Sequence, residues 1–222
     1  MGAGPVGRGD SFAGYRTRLV ETLQTKGIKD LLVLRAVSNA PRHLFVPQSL
    51  RHRAYEDEAL PIGGGQTISQ PWVQARMLEL AHFTGKEKVL EVGAGSGYQT
   101  CLIALCADVV IGVERLTDLA FGARDALREA KVPNASIVVG DGTLGWRPES
   151  PYDVILVAAA SPTIPQPLVE QLKLGGRLIL PLGDRATQTI TQVTKRPDGT
   201  TDVQQLTDVR FVPLIGKHGF GA

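Results

Sequence analysis

Cysteine is scarce: the 222-residue chain has two, Cys101 and Cys106. They lie five residues apart on one expected helix, off a shared face, so neither a disulfide framework nor a metal site follows. His43, His52, His82 and His218 are scattered, with no cysteine or carboxylate at ligand spacing, and no metal is expected. Long apolar runs are missing too. Stretches such as 154–160 fall far short of the about 18 residues a membrane span needs, so no membrane association is expected. Residues 1–30 carry Arg8, Asp10, Arg16, Arg18 and Glu21 with no apolar segment between them, which argues against a secretory leader and for a cytoplasmic address. Nor is one sign of charge in excess. The 24 basic and 22 acidic residues are well mixed, for a net charge of +2. With no basic block and no basic–aromatic stripe, nucleic acid is not an expected partner.

What is present describes a chain able to bury a core: 43% apolar and 21% charged residues, at a length suited to one generous domain. Residues 1–11, with four glycines and Pro5 among the first ten, read as a disordered tail. Residues 12–222 read as a single domain, with 12–70 a helical N-terminal cap and lid segment and 71–222 the core. In the cap the pattern is helical from Phe12 to about Tyr55, and Asp30 suits the N-cap of a helix over Leu31–Asn39 that stops before Pro41. Residues 56–71 are turn-rich, with Gly63–Gly65 at their centre. A helix is expected over 71–82, with Pro71 in its first turn.

From Lys88 strands and helices alternate. Strands are expected over 89–92, 109–114, 136–140, 153–160 and 177–183, and helices over 98–106, 116–131 and 166–174. Such alternation gives right-handed crossovers and a mostly parallel, Rossmann-like α/β sheet with helices on both faces. The tail differs. Thr189–Thr194 and Val203–Val212 alternate apolar and polar residues around Pro197-Asp198-Gly199, the pattern of an antiparallel hairpin.

The first strand of the core runs into Gly93-Ala94-Gly95-Ser96-Gly97. Glycines let the backbone turn sharply and let a ligand approach the main chain, and in open α/β sheets ligands bind beyond the carboxyl ends of the strands. Glu114 ends the second strand 21 residues after Gly93, a position suited to accepting hydrogen bonds from ribose hydroxyls. Asp141-Gly142 follows the third strand on the same edge, near where an adenine would lie. Each acid also has a plainer use, Glu114 at a helix N-terminus and Asp141 in a turn. Together they favour a nucleoside ligand.

A dinucleotide is disfavoured. Its fingerprint places the third glycine at the sixth loop position, which here is Tyr98, and a second mononucleotide-binding half is missing. Glu91, inside the strand, would repel a pyrophosphate but suits a cation. S-adenosylmethionine, an adenosine joined to a sulfonium and an α-amino group, fits better. The fold expected is therefore that of a class I S-adenosylmethionine-dependent methyltransferase, with a C-terminal antiparallel hairpin and added N-terminal helices.

A more specific resemblance is carried by RHLFVP (42–47), AYEDEALP (54–61), ALPIGGGQTISQP (59–71), VLEVGAGSGYQT (89–100), GDGTLGW (140–146), residues 151–183 and VRFVPLIG (209–216). From about Leu31 to Gly216 the chain resembles the bacterial protein-L-isoaspartate O-methyltransferases, with QTISQP the most discriminating segment. The resemblance implies a cytoplasmic repair enzyme. It would methylate the free carboxylate of L-isoaspartyl residues in damaged proteins and peptides, leave S-adenosylhomocysteine, and accept D-aspartyl residues less well. It makes Ser69 the active-site serine, here assigned to orienting the acceptor carboxylate or the methyl; the alternative is an N-cap for the helix at Pro71. It folds Gln66, Thr67 and Ile68 over the cofactor with Gly63–Gly65 as hinge or plain turn, and makes Val212-Pro213-Leu214 a substrate wall or simply a strand end. Ala158 stands where the family often carries threonine.

The cofactor-binding set is thus Gln66, Thr67, Ile68, Ser69, Glu91, Gly93, Gly95, Gly97, Glu114, Asp141 and Gly142. Isoaspartyl proteins and peptides are the expected partners of a monomer. The alternatives are a related carboxyl methyltransferase acting on aspartyl residues of one dedicated peptide, a nicotinamide-dependent oxidoreductase, and a non-catalytic binding module.

Overall fold

A computed structural model of the chain describes residues 11–221. The tail expected over residues 1–11 lies, except for Ser11, outside the described residues. Two helices, α1 (Ala13–Thr25) and α2 (Leu31–Asn39), open the chain. The Asp30 side chain accepts from the backbone N–H of Leu32 and Val33, the cap its position foretells. Short 3-10 turns at Arg42–Phe45 and Gln48–Arg53 follow.

The turn-rich segment turns out to be a two-stranded antiparallel hairpin, β1 (Leu60–Gly63) and β2 (Gln66–Ile68), with Leu60 opposite Ile68 and Pro61 opposite Thr67. Gly63, Gly64 and Gly65 all have positive φ, which makes them the hairpin's tip. Helix α3 (Pro71–Leu80) follows at once.

The remaining elements are β3 (Lys88–Val92), α4 (Tyr98–Ala104), β4 (Val109–Glu114), α5 (Thr117–Glu129), β5 (Ala135–Val139), β6 (Tyr152–Val157), α6 (Gln166–Glu170), β7 (Leu172–Gly183), β8 (Gln188–Lys195) and β9 (Thr201–Val209). Seven strands form one sheet in the order β5-β4-β3-β6-β7-β8-β9. The first five strands of that series in the chain are parallel, and β8 and β9 add antiparallel to β7. The chain moves outward from β3 to β5, then returns to β6 on the other side, so the strand order reverses between β3 and β6. A crevice opens at such a reversal, beyond the carboxyl ends of the two strands.

Helix α6 is shorter than the 166–174 expected from periodicity, and β7 starts at Leu172. Leu172 is buried and pairs with Tyr152 before the register shifts to Arg177 opposite Val154. Tertiary pairing overrides local propensity here, and Gly175 at φ +79° takes up the irregularity. Lys195 Nζ, donating to the carbonyls of Val169 and Leu172, closes the helix end. β6 stops at Val157, short of the expected 160. β9 stops at Val209, short of 212, because Phe211 N–H donates to Gln188 Oε1 and the next residues leave the sheet.

Both faces of the sheet are covered. Val89, Val154 and Leu156 join the cluster under α1–α5, whereas Leu90, Val92, Ile155 and Val157 join the one under α6. This alternation places Glu91 on the α4 side, opposite Gly112 of β4 and Leu156 of β6. A Cβ added to Gly112 would stand 2.6 Å from Ile137 Cδ1 and 3.1 Å from Ala94 Cβ, so the glycine lets β5 and the glycine loop pack closely against β4.

Cys101 and Cys106 are both free and buried, and burial pushes each thiol up to about 12. In native protein at pH 8 an alkylating reagent is therefore expected to add slowly to either, and to both once the chain is unfolded. Rapid native labelling, read as a mass shift, would contradict the packing around α4.

Candidate active site

The crevice is built on the glycine loop after β3. Gly93 and Ala94 N–H both donate to the Val113 carbonyl, and Gly97 N–H to the Ala94 carbonyl at 2.8 Å, folding the loop tightly into α4. Gly93, Gly95 and Gly97 have φ of 82°, 55° and 85°. A Cβ on Gly97 would also stand 3.1 Å from that of Ala123, so α5 packs directly on the loop.

Glu114, 7% exposed, holds the loop from the next strand. Its Oε2 accepts from Gly95 N–H and its Oε1 from Leu116 N–H, each at 2.8 Å. Each oxygen keeps further acceptor capacity, and the residue lines the crevice with Gln66, Thr67, Gly93, Gly95 and Gly142. The carboxylate of Asp141 is turned elsewhere. It accepts from the N–H and hydroxyl of Thr143 and from Lys217 N–H. Burial opposes its charge, but these donors outweigh burial and hold the acid below the usual carboxylate range. Of the pair, Gly142 reaches the crevice wall, and Asp141 shapes the turn that carries it.

Glu91 is fully buried, and Thr100 Oγ1 donates to its Oε2. Burial, reinforced by nearby Glu114, pushes its carboxyl up to about 8 against the Thr100 bond. Glu91 Oε1 and both amide atoms of Gln99 make no well-formed hydrogen bond among the described residues, although the Gln99 amide lies near enough to Glu91 to favour its charged form slightly. These atoms border a cavity of about 30 Å³ between the glycine loop and residues 67–69. Orphaned buried polar atoms are costly, and they mark a place built for a ligand's polar groups.

Segment 66–69 forms the opposite wall. Ile68 is buried in the core beneath it. The Ile62 side chain comes within 3.3 Å of a Cβ placed on Gly95, so the hairpin rests on the glycine loop. On the far side of the segment lies an open cleft of about 240 Å³, lined by Trp72, Asp208 and Arg210. Thr67 and Ser69 line both this cleft and the cavity beside Glu91. The Ser69 hydroxyl has no hydrogen-bond partner among the described residues, and the N-cap of α3 is Gln70 without a side-chain bond. The capping role is thus not taken up by Ser69; Asp57 Oδ1 instead accepts from Trp72 N–H.

Residues 212–214 run beside the end of β6. Ala160 N–H donates to the Val212 carbonyl and Leu214 N–H to the Ala160 carbonyl, which brings them to the crevice as well. A larger cavity, about 580 Å³, lies outside the hairpin between Phe45, Ile62, Leu116 and α5. It is mostly apolar and contains neither Glu91 nor Glu114. The polar crevice at the strand reversal is therefore the stronger candidate for the chemistry despite its smaller volume.

With this geometry in place, comparison with known proteins is decisive. Residues 15–219 match the family model described as protein-L-isoaspartate(D-aspartate) O-methyltransferase. The chain belongs to this family. Curated relatives named protein-L-isoaspartate O-methyltransferase include one from Syntrophus aciditrophicus, 47% identical over 95% of this chain and 98% of its own. Another, from Methanoculleus marisnigri, is 50% identical over 92% and 93% of the two chains. A solved protein-L-isoaspartate O-methyltransferase superposes with a TM-score of 0.82 at 28% identity, covering 92% of this chain and 67% of that one. A solved structure described as a putative member from Plasmodium falciparum, in complex with S-adenosyl-L-homocysteine, has a TM-score of 0.79 at 27% identity, covering 90% and 98%. The fold is that of the class I methyltransferases.

Of the expected cofactor-binding set, the structure brings together Gln66, Thr67, Ile68, Ser69, Glu91, Gly93, Gly95, Glu114 and Gly142 around two connected walls, whereas Gly97 packs on α5 and the Asp141 carboxylate turns away. Gln74, Gln99, Arg42 and Asp57 were not identified as functional residues by sequence reasoning. Arg42 and Asp57 lie inside segments that carry the resemblance, RHLFVP and AYEDEALP, but their partners are 13 to 32 residues away in the chain.

Proposed function

We infer that the protein transfers a methyl group from S-adenosylmethionine to the free carboxylate of L-isoaspartyl residues in damaged proteins and peptides. The observation that carries this reading is the placement of Ser69. In a chain matched by the family over nearly its whole length, Ser69 stands in the wall between a cavity holding a buried carboxyl and an open cleft. The donor set fits the cofactor: Glu114 for ribose hydroxyls, and Glu91 and Gln99, with their orphaned atoms, for the amino-acid part. When bound, the cofactor supplies a methyl carbon made electrophilic by the attached sulfonium.

The chain's own task is placement. A carboxylate with a pKa near 4 is ionised at pH 7, so no residue has to remove a proton to create the nucleophile. Ser69 orients the acceptor oxygen, the cleft walls hold the flanking peptide, and the β1–β2 hairpin excludes water. The β1–β2 hairpin covers this crevice of about 70 Å³; Gly63–Gly65 form the tip of the hairpin and are therefore its tight turn, not its hinge. In the same reading the protein is a cytoplasmic monomer, one domain in which 12–70 cap the 71–222 core. Its mixed charge argues against nucleic acid as a partner.

The test is labelled S-adenosylmethionine with two matched peptides, one isoaspartyl and one aspartyl, read as base-labile methyl ester. Ester on the isoaspartyl peptide alone is expected. Cofactor binding with ester on neither would point to a dedicated substrate, and no cofactor binding would overturn the assignment of the crevice.

A further inference from the structure

Arg42 is 0% exposed, and no carboxylate lies within ion-pair distance of it among the described residues. A charge buried in this way costs several kcal/mol unless dipoles replace the lost water. Three groups do so. Its Nη1 donates to Gln74 Oε1 on α3 at 2.9 Å, its Nη2 donates to the Ser69 carbonyl at 2.8 Å, and its guanidinium lies 4.6 Å from the Tyr98 ring centroid. Tyr98 is the first residue of α4, directly after Gly97 of the glycine loop. One rigid side chain therefore joins the helix after Ser69, the peptide group of Ser69 itself and the end of the glycine loop.

A second grip lies just beyond. Asp57 accepts from Gln70 Nε2 at 3.1 Å and from Trp72 N–H at 2.8 Å, and pairs with Lys26 Nζ at 2.6 Å. Asp57 thus fixes residues 70–72 onto the cap but does not touch Ser69. Ile62 of the hairpin packs on Gly95, but the guanidinium is what hydrogen-bonds the Ser69 peptide itself while stacking beside the residue that follows the glycine loop, and its planar fork does so with set geometry.

We propose that Arg42 is a positioning residue for methyl transfer, which holds the Ser69 peptide, and with it the Ser69 hydroxyl, at a fixed place relative to the glycine loop. This rests on the methyl-transfer reading above. Arg42 itself lines neither the crevice nor the cavity beside Glu91, whereas its partners Ser69 and Gln74 line that cavity, so it acts indirectly, through the placement of Ser69. Its loss should therefore act on kcat and spare the binding constants.

The experiment compares wild type with Arg42→Met and Arg42→Lys. It measures kcat and KM for an isoaspartyl peptide at 25 °C, Kd for S-adenosylhomocysteine by calorimetry, and Tm. Since a misplacement of about 1 Å costs about 100-fold, a partial loosening in Arg42→Met is expected to lower kcat about 20-fold. KM and Kd should stay within about threefold. Lysine keeps the charge but cannot bridge both acceptors, so Arg42→Lys is expected to recover part of the loss, to about fivefold below wild type. Because it keeps the charge and most of the stem, Arg42→Lys carries the test if Arg42→Met fails to fold. A kcat within twofold of wild type in every folded variant, whatever the change in Tm, overturns the proposal. So does a loss confined to KM or Kd. A wild type that makes no ester on the isoaspartyl peptide would instead bring down the methyl-transfer reading, and this inference with it.

Discussion

Ser69→Ala is expected to lower kcat/KM for an isoaspartyl peptide by about 100-fold, with Kd for S-adenosylhomocysteine within twofold of wild type. The hydroxyl has no hydrogen-bond partner among the described residues, and Ser69 lines both the cavity beside Glu91 and the acceptor cleft. Removing it breaks no bond of the fold, and Tm should be unchanged. The substitution thus separates the orienting role from the structural one that sequence alone leaves open. An alanine variant with wild-type kcat/KM would remove Ser69 from the mechanism, and a fall in Tm would mean that the hydroxyl serves the fold.

Glu91→Gln is expected to make the protein more stable and less active. Burial first, and the charge of Glu114 next, raise this carboxyl from 4.5 to about 8 in the folded protein, although Thr100 donates to it. The sign follows from proton counts. Between pH 4.5 and 8 the unfolded chain has released this proton while the folded chain retains it, so folding stability falls as pH rises through that window. Glutamine keeps an acceptor for Thr100 and has no charge to bury. The gain should be nil near pH 4, grow through the window and level off above pH 8. A few kcal/mol at pH 8 would appear as roughly 5–10 °C in Tm for a chain of this size. Losing the acid that meets the ligand's α-ammonium should weaken S-adenosylhomocysteine binding about 30-fold above pH 8, where the carboxyl is ionised, within the range for a charged hydrogen bond. A Tm difference independent of pH would mean the carboxyl is not perturbed in this way, and unchanged affinity would take it out of the binding set. Stability given up at a functional position is a common trade.

The acids show what a sequence can and cannot reveal about such a site. That Glu114 and Asp141 sit at the carboxyl ends of successive strands, with Glu91 inside the strand before the glycine loop, was legible from strand spacing alone, because a parallel sheet brings those ends to one edge. Their orientations were not. The Asp141 carboxylate is taken by Thr143 and Lys217, and the second of these is 76 residues away. Gln99 reads as one more residue of an apolar helix, and its orphaned amide is visible only where α4 crosses the β3 face. Arg42, in a short 3-10 turn, reads as a surface arginine until α3 and α4 close over it.

The order of elements, the parallel core, the closing hairpin, the glycine loop and the family were all determined by the sequence. Each depends on short-range pattern or on motifs whose residues are neighbours in the chain. Tertiary structure decided the rest: that 60–68 pair as a hairpin over the loop, that β7 overtakes the end of α6, and that residues 212–214 turn in beside β6. It also decided that Ser69 is held by a buried guanidinium rather than serving as a cap. These outcomes depend on which buried polar group finds a partner and which strand edge is free to pair. Both are settled only when distant segments are packed together and water is excluded between them.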